Sequence, residues 1–140
     1  MKKITAQALP SAFYLKASAK RLGLKHASVL DEYPDEIIVE QYNGVGPDRW
    51  SKQLRWFVTY LLADVLEAVI IHDMDFYKGG DKQTYHEANQ TLTDNIKTVA
   101  RTKYRWWRPR RWFLCKLSGF IGEWTDEFGW EGWNKTGNDK

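Results

Sequence analysis

The sequence predicts a mainly α-helical domain with two long antiparallel helices, a third helix packed across them and a small β element near the N-terminus. Apolar residues recur at helical spacing between residues 50 and 70 and again between 85 and 99. A chain of 140 residues can bury one modest core. We therefore expect a single domain over residues 1–140, with loose ends at about 1–8 and 134–140.

The first third of the chain carries the weaker signals. A short helix is expected around KASAKRLGL, ended by Gly23, and DEYPDE is expected to form a loop. EIIVEQY, residues 36–42, is the best strand candidate because it contains a β-branched run. The members of that run are Ile37, Ile38 and Val39. This strand is the predicted β element.

The two long helices should meet at KGGD, residues 78–81. Asp48 is a suitable N-cap for the first helix, which we expect to continue to Phe76. The glycines end that helix, and Asp81 can cap the second, residues 82–104.

The short link between these helices favours antiparallel packing. Such packing would bring His72, in the last turns of the first helix, close to His86 and Asn89 in the second. A third helix is expected around residues 110–124.

Composition narrows the class of protein. The formal net charge is only +3, which makes nucleic acid an unlikely partner. Cys115 is the single cysteine, so an intrachain disulfide is impossible and a reducing cytoplasm is the expected compartment. The apolar runs are too short and too charged to predict a transmembrane segment. The N-terminal sequence lacks the apolar core of a signal peptide.

Three motifs follow one another along the chain. A glycine loop, YNGVG at residues 42–46, comes first; a helical His-Asp pair, His72 and Asp73, follows; and YHEANQTL, residues 85–92, lies on the next helix. This pattern resembles phospholipase A2, especially its small, disulfide-free viral version. In that family a Y-x-G-x-G loop wraps calcium, an H-D-x-x-Y helix supplies the base and a calcium ligand, and an A-D-x-x-F stretch orients the histidine.

The resemblance implies a role for each matching residue. Tyr42, Gly44 and Gly46 would form the calcium loop, in which backbone carbonyls bind a hard cation. His72 would take a proton from water, and Asp73 would complete the calcium shell. The ion would polarise the ester carbonyl, with the Gly44 amide as an additional donor to the oxyanion.

The chain departs from the family pattern at two positions. Phe76 replaces the tyrosine, and Asn89 replaces the orienting aspartate. An asparagine can hold an imidazole but cannot stabilise imidazolium as an anion does, and the same change costs roughly 10⁴-fold in a serine protease triad. Asp94 lies farther around the helix and is a weak substitute.

A second resemblance is to small bacteriophage proteins of unassigned function. AVIIHD, a later helix containing AN, and the final FGWEGW carry this resemblance. Together the two resemblances cover roughly residues 37–133. They imply a phage or prophage protein, cytoplasmic in the producing cell or associated with the virion. It would be either a calcium-dependent ester hydrolase or a non-catalytic structural or interaction protein.

Simpler explanations stay open for the His-Asp pair. His72 could interact with a helix C-terminus while Asp73 is solvated, and YNGVG could be an ordinary turn. A transition-metal site formed by His72, Asp75 and His86 is a further alternative, although their spacing fits no known signature. A Ser-His-Asp triad lacks a serine in a suitable context.

The segment YRWWRPRRWF has three interpretations. Tryptophan with arginine suits a phospholipid interface, and it also suits stacking on single-stranded nucleic acid. Alternatively, the tryptophans cover the core while the arginines are solvated or pair with acids of EWTDEFGWE. We expect a lipid or partner surface here, formed by Trp106, Trp107, Arg108, Arg110, Arg111 and Trp112.

Overall fold

The computed structural model describes residues 8–41, 63–130 and 133. These residues are mainly helical, as the sequence predicts. In chain order the helices are α1 (Ala8–Arg21), α2 (Asp35–Gln41), α3 (Leu66–Lys78), α4 (Lys82–Lys103) and α5 (Pro109–Phe128), with 3₁₀ turns at Ala27–Asp31 and Ala63–Val65. No helix among these residues is long and apolar enough to span a bilayer.

The predicted strand at residues 36–42 is wrong, because Asp35–Gln41 forms the helix α2. The carbonyl of Pro34 accepts backbone hydrogen bonds from Ile37 and Ile38, at 3.0 and 3.2 Å, which starts the helix. The two acids of its first turn suit the positive end of the helix dipole. Burial of Ile38 and Val39 in the core therefore outweighs the β propensity of this short run.

The first long helix is shorter than predicted within the described residues. The 3₁₀ turn Ala63–Val65 precedes α3, and Val65 has φ −121°, outside helical geometry. Residues 48–62, the predicted beginning of this helix, lie outside the described residues. At its other end α3 stops at Lys78, and Gly79 has φ 71°, a conformation that glycine adopts without strain.

The helix α4 begins and ends close to the predicted positions. The side chain of Asp81 accepts a hydrogen bond from the Thr84 amide at 2.8 Å and so caps the helix. The contacts show that α3 and α4 are antiparallel, because Glu67 lies beside Lys103 whereas His72 lies beside Asn89. The short link thus brings the end of α3 against the beginning of α4.

A fully buried carboxylate joins three helices at the end of the molecule remote from this link. Glu67 of α3 accepts hydrogen bonds from Ser18 of α1, at 2.8 Å, and from Lys103 of α4, at 3.1 Å. A buried acid needs such partners because its desolvation is costly. These bonds help to fix the register of α3 against α4. The surrounding apolar core is formed mainly by α3 and α4, with smaller contributions from α1, α2 and the Ala27–Asp31 turn.

The third long helix packs along α4 and not across the helix pair. Tyr85, Asn89 and Thr93 of α4 contact Asp126 and Ser118 of α5, again in opposite chain directions. The helix extends over Pro109–Phe128, beyond the predicted residues 110–124. Its final turn therefore reaches the region where α3 and α4 are joined.

The closest approach of α4 and α5 is at Gly122. A Cβ atom at this position would overlap the hydroxyl oxygen of Thr93 and would lie 3.3 Å from its Cβ and 3.5 Å from the Asn89 carbonyl oxygen. Thr93 cannot easily move away because it is buried and its hydroxyl donates to the Ser118 carbonyl at 3.2 Å. The absence of a side chain at Gly122 thus sets the spacing of the two helices.

We predict that Gly122→Ala lowers the free energy of unfolding by about 1–3 kcal/mol, since the added methyl group overpacks this contact. Gly119→Ala is the matched control, because a Cβ there meets nothing within 4 Å. That control should stabilise the helix by about 1 kcal/mol. Urea unfolding of both variants measures the difference, and equal effects at the two glycines would contradict the close contact.

Candidate functional site

His72 and Asn89 form the centre of the candidate site. Nε2 of His72 lies 2.9 Å from Oδ1 of Asn89, within hydrogen-bonding distance. His72 is partly buried on α3 and Asn89 is buried on α4. The structure therefore brings together the two residues for which the family resemblance predicts the roles of base and orienter.

Asn89 also contacts a carboxylate that the sequence analysis missed. Its Nδ2 donates to Oδ1 of Asp126 at 3.1 Å. The same carboxylate oxygen contacts Nδ1 of the half-exposed His86. A continuous chain of polar contacts thus runs from His72 through Asn89 to Asp126 and on to His86.

The roles of donor and acceptor follow from this order. An ionised carboxylate only accepts hydrogen bonds, so the amide NH₂ of Asn89 faces Asp126 and its oxygen faces His72. His72 must then carry its proton on Nε2 to donate to that oxygen. Nδ1 is left with a lone pair, which can accept a proton.

The ionisation of the chain agrees with this arrangement. Burial raises the pKa of Asp126, but hydrogen bonds from His86 and Asn89 outweigh burial and bring the pKa below its usual value. Burial lowers the pKa of His72 to about 4, and the hydrogen bond with Asn89 only partly offsets this effect. At neutral pH the site therefore contains a neutral imidazole and an ionised carboxylate.

Aromatic side chains surround one side of the imidazole. The Phe76 ring centroid lies 4.5 Å from that of His72, and Phe76 in turn contacts Tyr85 and the fully buried Trp133. The indole of Trp133 donates to the Gly80 carbonyl at 3.1 Å, which holds it against the α3–α4 link. These apolar contacts help to exclude water and favour the uncharged form of His72.

The hydroxyl of Tyr85 helps to hold the end of α5 in place. Its single proton is shared between the backbone carbonyl oxygens of Thr125 and Asp126, which lie 2.5 and 2.7 Å from the hydroxyl oxygen. Phe76 occupies the position of the family's tyrosine and has no hydroxyl, while Tyr85 anchors α5 from the neighbouring helix. The position of Asp126 is thereby fixed through its backbone as well as its side chain.

Asp94, the sequence candidate for a replacement acid, lies elsewhere. Its carboxylate binds Lys25 at 2.7 Å and the side chain of Gln90 at 3.0 Å. Asp126 could not be identified from the sequence because it lies on a different helix, 37 residues from Asn89. The only signal is its place within EWTDEFGWE, a segment that the sequence offers as a source of partners for arginines.

The structure describes only one of the predicted calcium ligands. Asp73 lies on α3, partly buried, beside His72. Tyr42, Gly44 and Gly46, the residues of the predicted calcium loop, lie outside the described residues. Within residues 8–41, 63–130 and 133, no three His, Cys, Asp or Glu side chains form a group that could hold a metal ion.

The alternative metal site of His72, Asp75 and His86 is wrong. His72 binds Asn89, and His86 binds Asp126. Asp75 lies instead beside His26, with 3.5 Å between its Oδ2 and Nδ1 of His26. Burial raises the pKa of Asp75 to about 6, although His26 acts in the opposite direction.

Much of the predicted lipid or partner surface is exposed. Trp106, Trp107 and Trp112 are 71%, 54% and 63% exposed, so these tryptophans do not cover the core. Arg108 lies over the Trp107 ring at 5.1 Å. Arg110 is a different case, because its Nε donates to Asp64 at 3.0 Å and the side chain is partly buried.

Comparisons with protein-family models, with curated proteins and with solved structures found no match for this chain.

We predict that acid weakens the fold through His72. Its pKa is about 4 in the folded protein, against an ordinary value of 6.5. Between these values the unfolded chain binds a proton that the folded protein does not bind. The contribution of His72 to stability is therefore complete above pH 6.5 and falls as the pH decreases, by up to about 3 kcal/mol.

His72→Gln isolates this effect because Gln keeps a polar side chain but does not titrate. Asp75, whose raised pKa has the opposite effect on stability, is present in both proteins and cancels. Denaturant unfolding at pH 7 and pH 4 should show the variant gaining stability relative to the wild type as the pH falls. Parallel pH dependences of the two proteins would contradict a depressed His72 pKa.

Proposed function

We propose that the protein is a calcium-dependent, phospholipase A2-like ester hydrolase of phage or prophage origin. The observation that carries the proposal is the 2.9 Å contact between His72 Nε2 and Asn89 Oδ1. In the phospholipase A2 family, which this chain resembles, a residue of the next helix orients the histidine in the same way. The phage origin rests on the sequence resemblance alone.

His72 would act as the general base in this reaction. Its Nδ1 lone pair would accept a proton from the attacking water while Nε2 remains bound to Asn89. The pKa of about 4 keeps the imidazole in its basic form at neutral pH, although a base this weak provides a small driving force. An anion near the imidazolium would help, and Asp126 is the nearest acid in the contact chain.

Asp73 offers the type of ligand that calcium prefers, a carboxylate oxygen. The proposal assigns the remaining ligands to backbone carbonyls of Tyr42, Gly44 and Gly46. Bound calcium would polarise the ester carbonyl. Asp73 is adjacent to His72 in the chain, so the proton acceptor and one calcium ligand would both come from α3.

We expect His72→Ala to lower fatty-acid release from phospholipid vesicles by at least ~10²-fold, because a general base contributes that much. Chelation of calcium should abolish the release. Fatty acid is quantified by mass spectrometry after incubation with vesicles and calcium.

His26→Asn is the matched control for removal of a histidine. His26 has φ 60°, a conformation that Asn tolerates, and it contacts Asp75 and not the candidate site. This variant should retain full release. Failure of the wild-type protein to release fatty acid from any vesicle in the presence of calcium would refute the enzyme proposal.

A second candidate function is non-catalytic binding through the exposed residues Trp106, Trp107, Arg108 and Trp112, with the partly buried Arg111 beside them. Two observations favour it: Asn89 replaces the family's acid, and the surface lies far from His72. The α4 residues Asn89 and Lys103 are separated by roughly 20 Å at 1.5 Å per residue, and the surface follows Lys103. A phospholipid interface or a phage or host protein would be the partner.

Vesicle binding tests the lipid form of this function. We expect the protein to sediment with vesicles that contain an anionic phospholipid, and binding should weaken with salt. Replacing Trp106, Trp107 and Trp112 by Ser should reduce binding at least ~10-fold, since indoles favour the headgroup region. His72→Gln should bind like the wild type.

The matched control replaces exposed aromatic residues on another helix. Phe13 and Tyr14 of α1 are 50% and 60% exposed, and changing both to Ser should leave vesicle binding unchanged. Equal losses in the two sets of variants would show that binding is not specific to the tryptophan surface. Absence of binding at low salt would exclude the lipid partner.

A further inference from the structure

We infer that Asp126 is a positioning residue that fixes the amide orientation of Asn89 and, through it, the proton position on His72. This inference rests on the proposed function for its catalytic meaning, but its structural part does not. It rests on the contact chain from His72 Nε2 to Asn89 Oδ1, at 2.9 Å, and from Asn89 Nδ2 to Asp126 Oδ1, at 3.1 Å. Nothing in the sequence resemblance assigns a role to Asp126.

The need for such a residue follows from the chemistry of an amide. The two ends of an Asn side chain have nearly the same shape, but one donates hydrogen bonds and the other accepts them. If Asn89 presented its NH₂ to His72, Nε2 would have to accept and the proton would move to Nδ1. The nitrogen proposed to take a proton from water would then already carry one.

A carboxylate beyond the amide removes this ambiguity. The Asp126 oxygen can only accept, so the favourable arrangement turns the Asn89 NH₂ towards Asp126 and its oxygen towards His72. The wrong tautomer is the cause of the large loss when Asn replaces the aspartate of a serine protease triad. Asp126 would prevent that tautomer here, and its charge would polarise the amide towards the imidazole.

Asp126 is itself held in a defined position. Nδ1 of His86 contacts the same carboxylate oxygen that accepts from Asn89. The backbone carbonyl of Asp126 accepts from the Tyr85 hydroxyl at 2.7 Å. The low pKa of the carboxyl group keeps it ionised, and therefore acceptor-only, through the neutral range. Geometry and charge thus both favour one orientation of Asn89.

The first measurement uses the wild-type protein. In ¹⁵N NMR spectra, protonated and unprotonated imidazole nitrogens have well-separated shifts, and the His72 signals are assigned by their loss in His72→Gln. We expect His72 to be neutral at pH 7 with its proton on Nε2. A proton on Nδ1 would overturn the inference without any further variant.

The second measurement uses Asp126→Asn, which keeps the shape but can no longer force the Asn89 orientation. We expect the Nε2-protonated fraction of His72 to fall, with the Nδ1-protonated form becoming at least comparable. Asp94→Asn is the matched control, because Asp94 is also an aspartate of a long helix but its carboxylate binds Lys25 and not Asn89. His72 signals unchanged by Asp126→Asn in the folded protein would overturn the inference.

The double variant Asn89→Asp with Asp126→Asn provides the rescue. The carboxylate introduced on α4 would accept from His72 Nε2, and the amide introduced on α5 would donate to that carboxylate, so the order of donors and acceptors is restored. We expect the Nε2-protonated form to be recovered. A purely structural role of Asp126 would not predict this recovery, and its absence would count against the inference.

Activity separates this inference from the proposed function. If the protein releases fatty acid, Asp126→Asn should lower kcat at least ~10-fold with little change in KM, and the double variant should recover kcat. If no activity is found with any vesicle, the hydrolase proposal fails while the NMR result still decides the role of Asp126. Unchanged kcat together with an altered tautomer would restrict Asp126 to positioning without catalytic effect and overturn its role in the reaction.

Discussion

The close approach of α4 and α5 at Gly122 is the contact on which the candidate site depends. Gly122 lies against Thr93 and near the Asn89 carbonyl, and Asp126 lies one helical turn farther along α5. A larger separation would take Asp126 out of reach of the Asn89 side chain, because hydrogen bonds weaken steeply with distance and angle. The spacing of α4 and α5 therefore determines whether this chain of polar contacts forms. Because Gly122 has no side chain, the contacts can span three helices.

The sequence predicted the helices most accurately where local signals were strong. Gly79 and Asp81 mark the end of α3 and the beginning of α4 because glycine conformation and N-capping are local effects. The region of α2 was assigned wrongly because its β-branched residues are buried by tertiary contacts that a short window cannot reveal. The contact between His72 and Asn89 could be predicted from the sequence because the link between their helices is so short.

Asp126 marks the limit of sequence-based inference at this site. The sequence offers an acid on the same helix as Asn89, but that residue, Asp94, binds Lys25. The carboxylate that contacts Asn89 comes from α5, and its position depends on helix packing at Gly122. Neither the spacing nor the residue type of Asp126 signals this contact, since nothing in a lone sequence fixes the register of α5 against α4.

The contact chain also constrains how this sequence can vary. One amide and one carboxylate share two neighbouring positions, 89 and 126, and together they carry one negative charge. An acid at both positions would place like charges side by side, and an amide at both would remove the charge. In related chains an acid at position 89 should therefore accompany a neutral residue at position 126, so the two sites are expected to vary as a pair.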